Sequence, residues 1–380
     1  MIVIGAGAAG LSAAAALTRL GIDVVVLERD PKVGGTWARR YDRLRLHTVR
    51  GLSGLPHFPI PPRYPQYLTR DDFVEYLQEY AGRCGARVVF GAHVERIEPP
   101  PDGREWTVRS SDGVEWRAPV LVVATGQYRD PLIPAWPERA RFAGPFTHSA
   151  EYANGLPYAG RRVLVVGPGN SGAEIATDLA DSGATFVALS VRTPPPIVPR
   201  DPFGMPVQRT SLLLSALPPP VSNRFGRLTA RVVFGDLTRY GLPPGRFDPY
   251  TTRRVPLIDV GFVDALKRGR IQIREAVERL SPTGAVFADG RAESFDAIIA
   301  ATGFSTGLAS LLGVPDVLDD SGEPVGRSGD PTARPGLYFV GFTRSLRGHL
   351  FEANLAARRL ARHVPRYLDS SAGRARGRRR

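Results

Sequence analysis

Met1-Ile2-Val3-Ile4-Gly5-Ala6-Gly7-Ala8-Ala9-Gly10, followed by an Ala-rich run over 11–20 and then Gly21, is the stretch that decides how this chain folds. A short β-branched strand enters a Gly-x-Gly-x-x-Gly turn, an apolar helix leaves it, and residues 22–28 supply a second buried strand ending in Glu28. A glycine pattern alone is weak evidence, because glycine turns are common. Between a strand and a helix each glycine has its own part. Gly5 makes the tight turn, Gly7 leaves room for a phosphate against the backbone, and Gly10 lets helix and strand pack closely. Ala8 and Ala9 open the helix, whose free N–H groups face an anion.

The same plan returns. Residues 162–166 read as a strand, Gly167-Pro168-Gly169-Asn170-Ser171-Gly172 as the turn, 173–182 as a helix closed by Gly183, and 184–191 as a second strand. Pro168 falls at the variable position and removes one N–H. Each copy also closes alike, with a meander and a strand ending in small residues: 120–123 runs into Ala124-Thr125-Gly126, and 295–300 into Ala301-Thr302-Gly303. Two copies predict an α/β protein with two dinucleotide-binding, Rossmann-like domains. Thr125, Gly126, Thr302 and Gly303 join Gly5, Gly7, Ala8, Ala9, Gly10, Gly167, Gly169, Asn170, Ser171 and Gly172 as cofactor-binding candidates.

The second strands end differently. Glu28 stands where a carboxylate hydrogen-bonds an unphosphorylated ribose, as in FAD or NAD. Its counterpart is Arg192, followed by Thr193, and a guanidinium pairs with a 2′-phosphate that a carboxylate would repel. A flavin in the first site and NADPH in the second make an NADPH-dependent flavoprotein.

Composition excludes several other classes. The chain has 380 residues, 43% hydrophobic and 23% charged, which are globular values with length for two or more units. Its apolar runs are too short to span a bilayer. It begins on strand-like residues, so no signal peptide and a cytoplasmic location are expected. Cys84 is the only cysteine, which excludes a disulfide framework, a Cys-based zinc site and a paired dithiol. Of 50 basic residues behind the net charge of +13 only Lys32 and Lys267 are lysines, and the arginines are spread along the chain. The one dense cluster, Arg374, Arg376 and 378–380, reads as a solvated end, so no nucleic-acid partner is expected.

The residues resemble the flavin-containing monooxygenases. Phe142-Ala143-Gly144-Pro145-Phe146-Thr147-His148-Ser149-Ala150-Glu151-Tyr152 is similar to that family's FxGxxxHxxxY fingerprint, and Gly34-Gly35-Thr36-Trp37 to its segment after the acidic residue. Tyr41-Asp42-Arg43-Leu44-Arg45-Leu46-His47, the proline-rich 58–67, Gly235-Asp236 and 257–261 resemble the YUCCA-type branch, which acts on indole-3-pyruvate. The resemblance implies that Gly35, Thr36 and Trp37 contact the FAD and that NADPH reduces it. O2 then forms a C4a-hydroperoxyflavin that oxygenates a small organic substrate, an aromatic 2-oxo acid among the candidates. It places His47 and Thr48 near the flavin ring and gives His148 a part in holding NADP and joining the domains. Catalytic side chains stay unassigned, since the flavin carries the chemistry, and no metal is expected. A flavin reductase or diaphorase, a nitrogen- or sulfur-oxygenating enzyme and a Baeyer–Villiger enzyme are the alternatives, although Tyr152 stands where Baeyer–Villiger relatives carry Trp.

The FAD domain is expected to be discontinuous, 1–155 and 295–368, with the NADPH domain inserted at 156–294 and a basic disordered tail at 369–380. Residues 212–234, apolar and broken by Pro218-Pro219-Pro220, read as a helical cover over the cofactors; their basic flank, Arg224, Arg227 and Arg231, also suits a membrane surface. Homo-oligomerisation is left open.

Overall fold

A computed structural model describes residues 1–100, 104–252 and 255–377. Strands that are aliphatic at every position must be buried on both faces, which a parallel sheet with cover on each side provides. In the first sheet the order is Leu337–Phe339, Leu121–Val123, Ile2–Ile4, Val25–Glu28, Arg87–Phe90, all parallel. Register sets Ile2 beside both Val25 and Leu121. Alternation then sends Val3, Val26 and Val122 to one face, under the helices Ala8–Thr18 and His349–Gly377. Ile2, Ile4, Leu27 and Leu121 point to the other, under an antiparallel meander of Val94–Glu98, Trp106–Ser110 and Glu115–Ala118.

The second sheet repeats this packing with Gln272–Arg274, Phe186–Ser190, Arg162–Val166, Ala297–Ala300 and Phe146–His148, again all parallel. Val163, Val165, Val187 and Leu189 meet the helix Asn170–Asp181. Leu164, Val166, Ala188 and Ile298 meet a second meander, Val277–Ser281, Gly284–Phe287 and Ala292–Ser294. The duplication read from the glycine turns therefore extends to which face each cover occupies.

Strand pairing moves the expected domain boundaries. Phe146–His148 and Ala297–Ala300, assigned from the sequence to the first unit, pair with each other inside the second sheet, Ile298 beside Phe146 and Ala300 beside His148. The chain thus passes into the second unit before 146, not after 155, and returns after 300, not at 295. A three-residue edge strand carries no periodicity, and its partner lies far along the chain, so only long-range pairing reveals it. The last helix is His349–Gly377, so it takes in part of the segment set apart in the sequence as a tail, while 378–380 lie outside the described residues. Ala and Arg are strong helix formers, and the run continues a helix already docked on the first sheet.

The expected cover is two helices, Val207–Leu214 and Pro219–Phe234, hinged at Pro218. Pro219 and Pro220 fit a first turn, where a missing N–H leaves no bond unmade.

Candidate cofactor and substrate site

Both glycine turns take one geometry. Gly5 has φ +102° and Gly167 +110°, a region that side chains rarely adopt. A Cβ on Gly5 would stand 2.7 Å from the Ala124 carbonyl oxygen, so the turn closes directly on the end of the neighbouring strand. A Cβ on Gly10 would overlap the Gly5 carbonyl oxygen, and one on Gly172 the Gly167 carbonyl oxygen. By contrast, a Cβ on Gly7 or Gly169 would meet nothing within 4 Å. Those two residues cap their helices with φ/ψ of −75°/178° and −70°/−179°, and neither helix has a side-chain cap. The first N–H groups of each helix therefore face open space, which is a cradle for a pyrophosphate.

Polar groups around the first cradle fit a nucleotide. The Glu28 carboxylate accepts from the N–H of Ala6 (2.6 Å) and of Asp30 (2.9 Å), one per oxygen, and keeps lone pairs for ribose hydroxyls. The Thr125 hydroxyl is buried without a hydrogen-bond partner, directly after the carbonyl that faces Gly5. Such an orphan is costly unless a ligand satisfies it. Gly34 (φ +84°) turns the chain into the short helix Gly35–Ala38. Gly35 lies against Asp30, which a bidentate pair from Arg39 holds at 3.0 and 2.9 Å. Trp37 packs edge-on to Phe73 at 4.6 Å, and Thr36 is exposed.

The second cradle is less uniform. Asn170 spends its amide on the loop before Leu257–Asp259, donating to the Pro256 carbonyl (3.0 Å) and accepting from Ile258 N–H (2.8 Å). Only its backbone N–H is left for a phosphate, and Ser171 turns its hydroxyl to Tyr41. Thr302 donates its hydroxyl to the Leu132 carbonyl, unlike its orphaned counterpart Thr125, while Gly126 and Gly303 share positive φ of +82° and +93°. Arg192 is exposed at the end of Phe186–Ser190 and forms no ion pair among the described residues.

His148 is a satisfied histidine. Its Nε2–H donates to the Gly303 carbonyl (3.1 Å), its Nδ1 accepts from Ala150 N–H (3.1 Å), and burial pushes its pKa down. Both nitrogens serve the backbone, so it joins strand ends and has no nitrogen free for a nucleotide. His47 bridges the units, with Nε2 2.7 Å from the buried Glu174 on the helix Asn170–Asp181. Its neighbour Thr48 accepts from Ser53 Oγ (2.8 Å) and abuts Gly348, where a Cβ would overlap the threonine methyl. A polar cleft of about 470 Å³ opens beside His47, Arg45, Glu174 and Arg200.

Several contributors carry no sequence signal. Gln208, buried on the first cover helix, accepts from Val49 N–H (2.8 Å) and donates to the Arg347 carbonyl (2.6 Å), so one amide fastens the cover to two loops of the first unit. Gln127 bonds His349 (2.9 Å) and Arg344 (3.1 Å) just beyond Gly126. The Arg40 guanidinium lies 4.9 Å over the Phe304 ring, and desolvation lowers its pKa. Gly341 (φ +92°) could have been found, because it follows the last strand as Gly126 follows its own; a Cβ there would come within 2.6 Å of Ala9. Under the cover lies an apolar cavity of about 300 Å³, lined by Val198, Leu214, Phe225, Phe247, Tyr250 and Leu346 among others.

These features can be set against known proteins. The chain is 38% identical over 357 residues to indole-3-pyruvate monooxygenase YUCCA1 of Oryza sativa subsp. japonica, covering 90% of this chain and 86% of the relative. It is 35% identical to the probable indole-3-pyruvate monooxygenase YUCCA4 of Arabidopsis thaliana, covering 93% and 87%. A flavin-containing monooxygenase structure from Stenotrophomonas maltophilia superposes with a TM-score of 0.70 at 27% identity, over 96% of this chain and 98% of that one. The family model for flavin-binding monooxygenase-like proteins matches residues 1–312, and that match takes in both glycine turns and the strand ends that close on them. Sequence, packing and likeness agree, and the chain belongs to the flavin-binding monooxygenase-like family.

Proposed function

We propose that this flavin monooxygenase holds FAD in the first cradle and NADPH in the second, and that it oxygenates an aromatic 2-oxo acid, with indole-3-pyruvate the foremost candidate. The observation carrying the cofactor assignment is the pair of open cradles with opposite ribose partners, Glu28 in one and Arg192 in the other. The substrate rests on the likeness to plant indole-3-pyruvate monooxygenases along nearly the whole chain, and on an apolar cavity of a size suited to an aromatic ring.

FAD, when bound, supplies electron storage and oxygen activation. The chain binds, orients and keeps water out. Gly7 and Gly169 let the pyrophosphates reach the helix N–H groups, and Thr125 offers the first nucleotide its unpartnered hydroxyl. His47 acts through Glu174: that contact holds the segment leading to Thr48 against the helix that begins at the second cradle, so the two nucleotides keep one spacing. Gln208 pins the cover over the same loops, which fixes the wall of the cavity on that side.

A substrate panel tests the reading. With the NADPH-reduced holoenzyme and O2, indole-3-pyruvate and phenylpyruvate are expected to give the one-carbon-shorter acid with one carbon dioxide and one water per O2 and NADPH consumed, while tertiary amines and sulfides give no oxygenated product. Turnover of amines or sulfides alone would move the protein to a heteroatom-oxygenating role.

A further inference from the structure

The outer face of the cover exposes a cluster of large apolar side chains. Val221, Phe225, Leu228 and Val232 recur at intervals of four, three and four along Pro219–Phe234, which places them in one row on the helix. All four face solvent: Phe225 is 56% exposed, Leu228 59% and Val232 63%. Leu213, on the other cover helix, is 73% exposed, and Leu217, Phe203 and Met205 are exposed as well. An isolated exposed leucine needs no explanation, but a row of four along one helix, with further exposed apolar side chains on the preceding helix, marks an interaction surface.

Charge selects the occupant. Arg224, Arg227 and Arg231 flank the row and are exposed, and none forms an ion pair among the described residues. Residues 207–234 contain no Asp or Glu. Asp236, just past the helix end, has its pKa lowered first by hydrogen bonds from Thr238 and then by Arg239 and Arg231. A second copy docked through this row would bring two sets of arginines together without carboxylates between them. An anionic lipid surface supplies both complements at once, hydrocarbon for the apolar row and headgroup phosphates for the arginines. No helix among the described residues is long and apolar enough to cross a membrane, so the contact is one of lying on the bilayer.

The cavity adds direction. Phe203, Met205, Leu213 and Phe225 both line it and stand on the exposed face, so the cavity opens where the bilayer would lie. We propose that the cover helices dock this protein on anionic membranes, with the cavity mouth toward the lipid.

Sedimentation of the full-chain holoenzyme with vesicles tests this. Binding is expected to vesicles of phosphatidylcholine containing phosphatidylglycerol, weaker binding to phosphatidylcholine alone, and release from the anionic vesicles by high salt. Leu228→Gln with Val232→Gln, neither of which lines the cavity, should lower the anionic-vesicle partition coefficient by about tenfold or more while flavin content stays at the wild-type level. Arg224→Glu with Arg227→Glu should remove the preference for anionic over neutral vesicles. Absence of wild-type binding to the anionic vesicles would overturn the proposal. So would a wild-type dimer that the Leu228 and Val232 pair converts to monomer without changing vesicle binding, since the face would then belong to a second copy.

Discussion

A Gly7→Val protein folds and is colourless. Nothing lies within 4 Å of a Cβ at Gly7, and its φ of −75° is open to any residue, so the protein itself accommodates the side chain. The space it fills is the one that a pyrophosphate needs. Loss of about two charge-assisted hydrogen bonds, at roughly 1.5–3 kcal/mol each, weakens FAD binding on the order of a hundredfold to ten-thousandfold. Gly169→Val repeats the experiment in the second cradle: flavin is retained, and reduction by NADPH slows by a similar factor. Gly10→Val and Gly172→Val differ in kind, because their side chains overlap backbone carbonyls and strain helix packing even in the apoprotein. Flavin content by absorbance, with apoprotein Tm as the folding control, separates the two classes. A yellow Gly7→Val protein with full occupancy contradicts the assignment of the first cradle.

Arg192→Ala raises the KM for NADPH by about ten- to a hundredfold and leaves the KM for NADH nearly unchanged. The guanidinium is exposed, lacks an ion-pair partner among the described residues and sits at the end of the second strand, where the adenosine ribose lies in this fold. A charge-assisted contact to a 2′-phosphate, worth roughly 1.5–3 kcal/mol, gives that factor, and only NADPH carries the phosphate. A carboxylate in the equivalent place, as Glu28 is in the first unit, would repel such a phosphate. Equal effects on both nucleotides in steady-state kinetics would show Arg192 to be an ordinary surface arginine.

The parts of this protein legible in sequence are those whose geometry is set locally. A strand, a glycine turn and a helix lie within about twenty residues of one another, and the need for no side chain at Gly5, Gly10, Gly167 and Gly172 is written in the residue itself. The two strand ends at Thr125 and Thr302 are readable because they repeat. Their difference is not: Thr302 finds Leu132 across a loop, while Thr125 finds nothing. Domain boundaries escape for the same reason, since the pairing of Phe146–His148 with Ala297–Ala300 is a long-range event without a local pattern. Asn170 occupies a turn position that suggests phosphate contact, yet its amide is drawn away by the backbone of Pro256 and Ile258. Gln208 looks like any polar residue near a helix start, and only the folded chain shows that it joins the cover to two distant loops.

The two cradles must work in one oxygenating cycle. The most direct test is to reduce the holoenzyme with one equivalent of NADPH without oxygen, then mix it rapidly with O2 in the absence and in the presence of indole-3-pyruvate, following flavin absorbance and hydrogen peroxide. A monooxygenase that shields its flavin from water shows a lag between loss of the reduced spectrum and return of the oxidised one. Substrate shortens that lag and replaces hydrogen peroxide by carbon dioxide. Immediate return of oxidised flavin, with one hydrogen peroxide per NADPH whether or not substrate is present and NADP+ shown to be bound, would make the protein a reductase and contradict an oxygenating cycle.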